Sequence, residues 1–298
     1  MTKQQFIELV TKELEKFFPY DNYTVQSDIF IKNNNTKRLG IIIRRKDGII
    51  APTIYMENFY DDYLQKKMTL AEICSQINLI YNKFETQLQR YQSFSIEFSS
   101  CQSKITYRLI SQEHNEDFLE NIPYLSFLNL AITFHIVFEC STNGVESLCI
   151  TKQLQQKWQI TTEALFQLAK DNTPRHFPIT IDTMEHAICE YLGISSERQE
   201  DETDIPSIYI FSNEYGINGA TVMIYPDVIH RFAEEQNRNL YIIPSSIHEI
   251  LVIPEYEKKS LSSLSKIVKQ TNDSHVSADE VLSNQAYYYD RKEKKFVV

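Results

Sequence analysis

From Lys3 to Phe18 the apolar residues Phe6, Ile7, Val10, Leu14, Phe17 and Phe18 recur at helical spacing until Pro19 ends the run, which predicts an amphipathic opening helix. Residues 23–31 and 39–45 are rich in β-branched and aromatic side chains and flank Asn33-Asn34-Asn35, the pattern of a hairpin. Asp47-Gly48 predicts a tight turn into a strand over 49–55. The strongest helical signal spans 69–84: Leu70, Ile73, Cys74, Ile77, Ile80, Tyr81 and Phe84 share a face, and Thr69 with Glu72 has capping-box spacing.

Residues 87–104 turn to Gln, Ser and Tyr and mark a boundary. Beyond it, 105–110 and 128–138 are apolar enough to be strands buried on both faces, 146–151 adds another strand, and a helix opens at Thr161 or Thr162. Pro174 and Pro178 break the chain before a short helix over 183–192. Residues 195–204 carry five acids and one base with no apolar residue, as in a surface loop. Strands are then expected over 208–211, 220–225, 240–243 and 247–253, with a turn over 216–219 and helices from Pro226 and over 260–269. Ser277 and Glu280 are spaced as a capping box, and 286–297 reads as a last hairpin. Thr53-Ile54-Tyr55 and Met223-Ile224-Tyr225 echo one another, each leading into a helix with a phenylalanine (Phe59, Phe232), the pattern of an internal repeat.

Helices and strands in this mixed order predict an α+β protein with mixed, mostly antiparallel sheets and flanking amphipathic helices, in two lobes over 1–100 and 101–298. The 298 residues, 42% hydrophobic and 23% charged, suit a globular chain of that size. Its 30 Lys and Arg against 40 Asp and Glu give a net charge of −10, which disfavours a broad nucleic-acid surface. The apolar stretch 125–138 is interrupted by Ser126, Asn129, Thr133 and His135, whereas a membrane span needs roughly 20 mostly apolar residues. Glu8, Glu13 and Glu15 interrupt the N-terminal apolar pattern, unlike a secretory signal, and the expected compartment is the cytoplasm. Five widely spaced cysteines without a Cys-x-x-Cys read as small buried residues.

Several stretches carry a resemblance: Ala51-Pro-Thr-Ile-Tyr55 with Asn58-Phe59-Tyr60, Leu168-Ala-Lys-Asp-Asn-Thr173, Tyr225-Pro-Asp-Val228, Ile242-Ile-Pro-Ser-Ser-Ile-His-Glu-Ile250, and Leu282-Ser283 with 287–290. In this order they resemble a family of anaerobic Gram-positive gut bacteria that is known as a domain of unknown function. The resemblance covers nearly the whole chain and is weakest at 87–104 and in the acidic loop. It implies an intracellular bacterial protein and brings no reaction, cofactor or catalytic residue with it.

Three clusters are candidates for chemistry. Ser245, Ser246, His248 and Glu249 combine a nucleophile, a base and a carboxylate, but on a strand Ser246 and His248 would stand about 6–7 Å apart with Glu249 on the other face. Without a Gly-x-Ser-x-Gly elbow, the segment reads more readily as a hydrogen-bonded turn. Asp171, Asn172, Arg175 and His176 are expected on a loop after a helix, where they could hold an anion or simply stop the helix. Arg44 and Arg45, beside Lys46 and near Lys37 and Arg38, form a small basic hairpin. The seven histidines never pair as His-x-x-x-His and position 252 is Val, so no metal site is expected, and the six glycines make no phosphate loop. Tyr287-Tyr288-Tyr289 must place a ring on each face of its strand, giving either an exposed aromatic strip or rings buried against a helix.

The favoured reading is a non-catalytic cytosolic binding or interaction module, engaging a protein partner through a groove or sheet edge, with no cofactor and no membrane. The alternative is a hydrolase whose site joins Ser246, His248 and Glu249 to Asp171–His176.

Overall fold

A computed structural model describes residues 1–47, 51–91, 96–141, 144–192 and 207–297, with side chains of 87–91 excepted. The acidic stretch 195–204 and the first residues of the strand expected over 49–55 lie outside them. The chain divides into two compact units, Met1–Ser95 and Ile96–Val298. Every strand pair described is antiparallel, in an α+β arrangement.

In the first unit, α1 (Lys3–Leu14) starts with a capping box in which Thr2 Oγ1 accepts from Gln5 N and Gln5 Oε1 accepts from Thr2 N. It buries Phe6, Ile7, Val10 and Leu14. Strands β1 (Tyr23–Ile31), β2 (Lys37–Arg45) and β3 (Thr53–Tyr55) form a sheet in that order, followed by α2 (Glu57–Leu64) and α3 (Leu70–Tyr91). Thr69 and Glu72 cap α3 as their spacing predicts, at 2.8 and 3.3 Å. Ile73, Cys74, Ile77 and Tyr81 of α3 meet Ile41, Ile43 and Ile54 in the core, whereas Ile80, grouped with them by periodicity, is 42% exposed. On the opposite face of the sheet, Phe30 and Tyr55 meet edge to face at 6.1 Å, beside Gly40. A Cβ at Gly40 would fall 2.9 Å from Thr53 Cγ2 and 3.0 Å from the Phe30 ring, so these two side chains close over a position that suits glycine.

The second unit begins with α4 (Phe98–Cys101), β4 (Ile105–Ser111), α5 (Glu116–Leu119), β5 (Tyr124–Phe127), β6 (Leu130–Ser141) and β7 (Gly144–Cys149). β4, β6 and β5 run side by side, and β7 pairs with the far half of β6. The sequence suggests one strand over 128–138, but Leu128 turns the chain with φ 56°, which separates β5 from β6. Residues 130–137 are buried throughout, as apolar density predicts. Among them His135 lies with its Nε2 3.0 Å from Thr133 Oγ1, and burial, reinforced by the Arg108 cation, holds its pKa well below the usual imidazole value.

Next come α6 (Lys152–Trp158) and α7 (Thr162–His176), the latter packed on β4 with Tyr107 stacked on Phe166 at 5.8 Å. β8 (Ile179–Thr183), α8 (Met184–Leu192), β9 (Tyr209–Asn213), α9 (Val228–Glu235), β10 (Leu240–Pro244), β11 (Ile250–Pro254), α10 (Leu261–His275), β12 (Tyr287–Asp290) and β13 (Lys295–Val297) complete the unit. They build a six-stranded sheet in the order β13-β12-β10-β11-β9-β8. Phe232 of α9 meets Tyr209 and Phe211 on one face of the sheet, and α10 lies over Ile243 and Leu251 on the other.

Three expectations fail here. Residues 220–225 are not a strand: Gly219–Ile224 is a 3₁₀ helix whose residues 219–223 are all buried, so apolar density reflects burial on every side rather than a pleat. Ser277 and Glu280 open no helix, since Glu280 N closes a turn on Ser277 O at 2.8 Å. The internal echo therefore joins a strand, Thr53–Tyr55, to a 3₁₀ segment and has no structural counterpart. No described helix is long and apolar enough to cross a membrane.

Candidate functional site

The serine and histidine cluster lies in the five-residue connection from β10 to β11, which pair Pro244 with Ile250. The strand expected from 247 therefore starts at Ile250. A turn forms because a serine hydroxyl competes with the sheet ladder for backbone groups: Ser246 Oγ accepts from His248 N at 2.9 Å, Ser246 N donates to Glu249 O, and Ser245 Oγ donates to Glu249 Oε1 at 3.0 Å. The His248 ring points elsewhere. Its Nδ1 accepts the backbone N–H of Asn218 at 3.2 Å, which leaves the proton on Nε2, 3.7 Å from Glu280 Oε1. The loop is fixed from outside as well, by Ser212 Oγ on His248 O (2.8 Å), Ile247 N on Glu280 O (2.8 Å) and Ala220 N on Ile247 O (3.2 Å). Gly219 permits this approach, because a Cβ there would fall 2.2 Å from Ser212 Oγ and 2.3 Å from His248 O. The hydroxyl of Ser246 thus meets the backbone of His248 and not its ring.

The second cluster is not a loop. α7 continues to His176 with Pro174 inside it. A buried contact outweighs the usual helix stop: Thr173 Oγ1 donates to Ala169 O at 2.6 Å and accepts from Tyr107 N at 3.0 Å, tying the last turns of α7 to β4. Asn172 donates to Gln102 O and Ile105 O at 2.7 and 3.0 Å, and His176 Nε2 lies 2.9 Å from Ser103 O. Asp171 and Arg175 are exposed. Among the described residues no hydrogen bond or ion pair links 171–176 to 245–249.

Of the basic hairpin, Arg44 is exposed, and Arg45 forms a two-pronged pair with Asp47 at 3.0 and 3.1 Å and approaches Glu85 at 3.6 Å. The tyrosine run is engaged on both faces: Tyr287 Oη donates to Asn129 Oδ1 at 2.7 Å, Tyr288 Oη to Glu255 Oε2 at 2.8 Å, and Tyr289 packs on Phe296 at 5.1 Å. It leaves no exposed aromatic strip. A groove of about 160 Å³ lies between α10 and the β10–β11 hairpin, lined by Ile243, Leu251, Leu264, Ile267 and Asn272 among others. Ligand pockets span roughly 300–1,000 Å³, so this groove is too small for a cofactor-sized molecule.

The edge of the six-stranded sheet differs from all of these. Among the described residues β8 pairs only with β9, and Ile181 on it is 46% exposed. α8, which follows directly, has no buried residue, and its Ile188, Tyr191 and Leu192 are 50%, 90% and 58% exposed. Asp182, His186 and Glu190 stand on the same hairpin of structure, with one donor atom of each within 4.8 Å of the others. His186 Nδ1 and Asp182 Oδ2 are 2.8 Å apart, a bond that holds the Asp182 carboxyl below its usual range. Histidine and cysteine motifs do not reveal this set: only the four-residue spacing of His186 and Glu190 along α8 signals it in the sequence, and Asp182 joins them from β8.

The fold defines an α+β protein in which polar groups of 245–249 and 171–176 hydrogen-bond to its own turns and helix ends, and in which β8 and α8 carry exposed apolar residues. The chain belongs to the family of unknown function DUF5688, whose pattern it matches over residues 3–291. No curated protein and no solved structure matches it.

Proposed function

We propose that the protein is a non-catalytic interaction module of the bacterial cytosol that takes up an extended segment of a partner protein along β8. The observation that carries this reading is the set of exposed apolar side chains, Ile181 on β8 and Ile188, Tyr191 and Leu192 on α8, with β8 paired among the described residues with β9 alone. An open strand edge offers main-chain donors and acceptors to an added strand, and adjoining apolar residues supply selectivity. Tyr191, almost wholly exposed, is the kind of aromatic anchor that concentrates binding energy. Asp182, Glu185 and Glu190 give this edge negative charge, so the fitting segment alternates apolar residues with Lys or Arg.

The test is selection of displayed peptides on the immobilised protein, followed by amide hydrogen exchange with the best binder. Slowed exchange at 179–183, with affinity reduced at least tenfold in an Ile181→Lys, Tyr191→Asp double variant and unchanged in His248→Ala, supports the reading. Failure to select any binder, protection confined to other strands, or undiminished affinity in the double variant overturns it.

A further inference from the structure

We propose that Asp182, His186 and Glu190 form a binding site for a divalent transition metal, with Zn²⁺ the ion its donors fit best. His186 and Glu190 lie four residues apart on one face of α8, and Asp182 reaches His186 from the end of β8, so the strand end and the helix face together bring the three side chains near one another. Their donor atoms already lie within 4.8 Å of one another. Ligands held about 2.0–2.2 Å from a tetrahedral ion stand roughly 3.4 Å apart, so closure needs side-chain rotation and no backbone movement. Asp182 and His186 are 39% and 51% exposed, and their 2.8 Å contact would open as both turn toward an ion.

The set is more than an acidic patch because it contains an imidazole. One nitrogen and two carboxylate donors suit Zn²⁺ and its first-row neighbours, whereas Ca²⁺ takes six to eight oxygens and Mg²⁺ prefers oxygen ligands and retained water. Asp182 and His186 are also held from behind: Asp182 Oδ1 accepts from Thr183 N at 2.7 Å, and Thr183 Oγ1 accepts from His186 N at 3.2 Å, fixing the start of α8 beneath both residues. Three protein donors leave a fourth position to water or to a group from another molecule. This inference needs no partner protein and stands independently of the β8 reading. A bound dication would cancel part of the negative charge beside β8, so metal and a basic segment are expected to oppose each other.

The experiment is a Zn²⁺ titration of the untagged, metal-stripped full chain against a chromophoric chelator. One Zn²⁺ per chain is expected, with affinity falling at least tenfold in His186→Ala and several-fold in Glu190→Gln. His248→Ala, which alters a histidine outside the set, should bind as the unmodified chain does. Because His186 and Glu190 are exposed, circular dichroism of the variants should not change. A shifted ¹⁵N resonance of the His186 ring on adding Zn²⁺ would locate the ion directly. Absence of competition with the chelator, or equal affinity in the unmodified chain and both variants, overturns the proposal.

Discussion

The 245–249 turn and the β8–α8 edge both carry histidine and carboxylate, yet they use them in opposite ways. In the turn, Ser245, Ser246, His248 and Glu249 all bond within the loop or to the segment around Gly219. At the edge, Asp182 and His186 bond to each other and to the start of α8, and the apolar residues of α8 are unburied. Residue types associated with catalysis therefore say little by themselves. What separates the two regions is whether the fold needs those polar groups to satisfy its own backbone.

The largest effect that bears on this contrast is expected at Gly219. An added Cβ would meet Ser212 Oγ and the His248 carbonyl at 2.2 and 2.3 Å, so Gly219→Ala should cost about 3 kcal/mol in urea unfolding, as a steric clash in a packed junction does. A loss below about 1 kcal/mol would mean that the turn is not clamped as described. Asn172→Ala should cost about 2 kcal/mol, because the carbonyls of Gln102 and Ile105 lose their shared donor. An anion-dependent stability at that site would instead revive a binding role for the end of α7.

His135 gives a pH test in the other sheet. Its folded-state pKa is depressed, so its contribution is complete above the ordinary imidazole value near 6.5 and is lost as pH falls below it, where the unfolded chain takes up a proton that the folded one refuses. Relative to His135→Asn, the unmodified protein should lose stability more steeply with acidification, by roughly 1.4 kcal/mol per pH unit over that window. Parallel pH curves would remove His135 from the account. The smallest effect is expected at the edge itself, where Ile181→Lys and Tyr191→Asp should each change stability by less than about 0.5 kcal/mol. A large loss from either would show that these residues support the fold after all, and would erase the contrast between the regions.

Much of the fold is legible in the sequence wherever one local rule and burial agree. Thr69 and Glu72 cap α3 as their spacing requires, Thr161 caps α7, and the 286–297 hairpin pairs as β12 and β13. The failures share a cause, which is a distant contact overriding local preference. Thr173 bonds Tyr107 across 66 positions and carries α7 past Pro174. The 3₁₀ turn after Asn218 looks like a strand because it is buried all round. At the candidate sites, residue identity was readable but its use was not: nothing near His248 in sequence announces Asn218 or Glu280 as its neighbours. The Asp182, His186 and Glu190 set is half legible: the four-residue spacing of His186 and Glu190 can be read in the sequence, whereas the approach of Asp182 from the end of β8 cannot.

The order of strands in the six-stranded sheet also governs when the second unit can be finished during synthesis. β10 gains one neighbour from β11 almost at once, but its other side waits for β12, which follows only after α10. Until β12 leaves the ribosome, the apolar segment Leu240–Pro244 has an unoccupied flank, the condition under which a nascent sheet recruits a wrong strand. Chains interrupted shortly before Tyr287 should therefore fail by self-association, with the arrival of β12 ending the vulnerable interval.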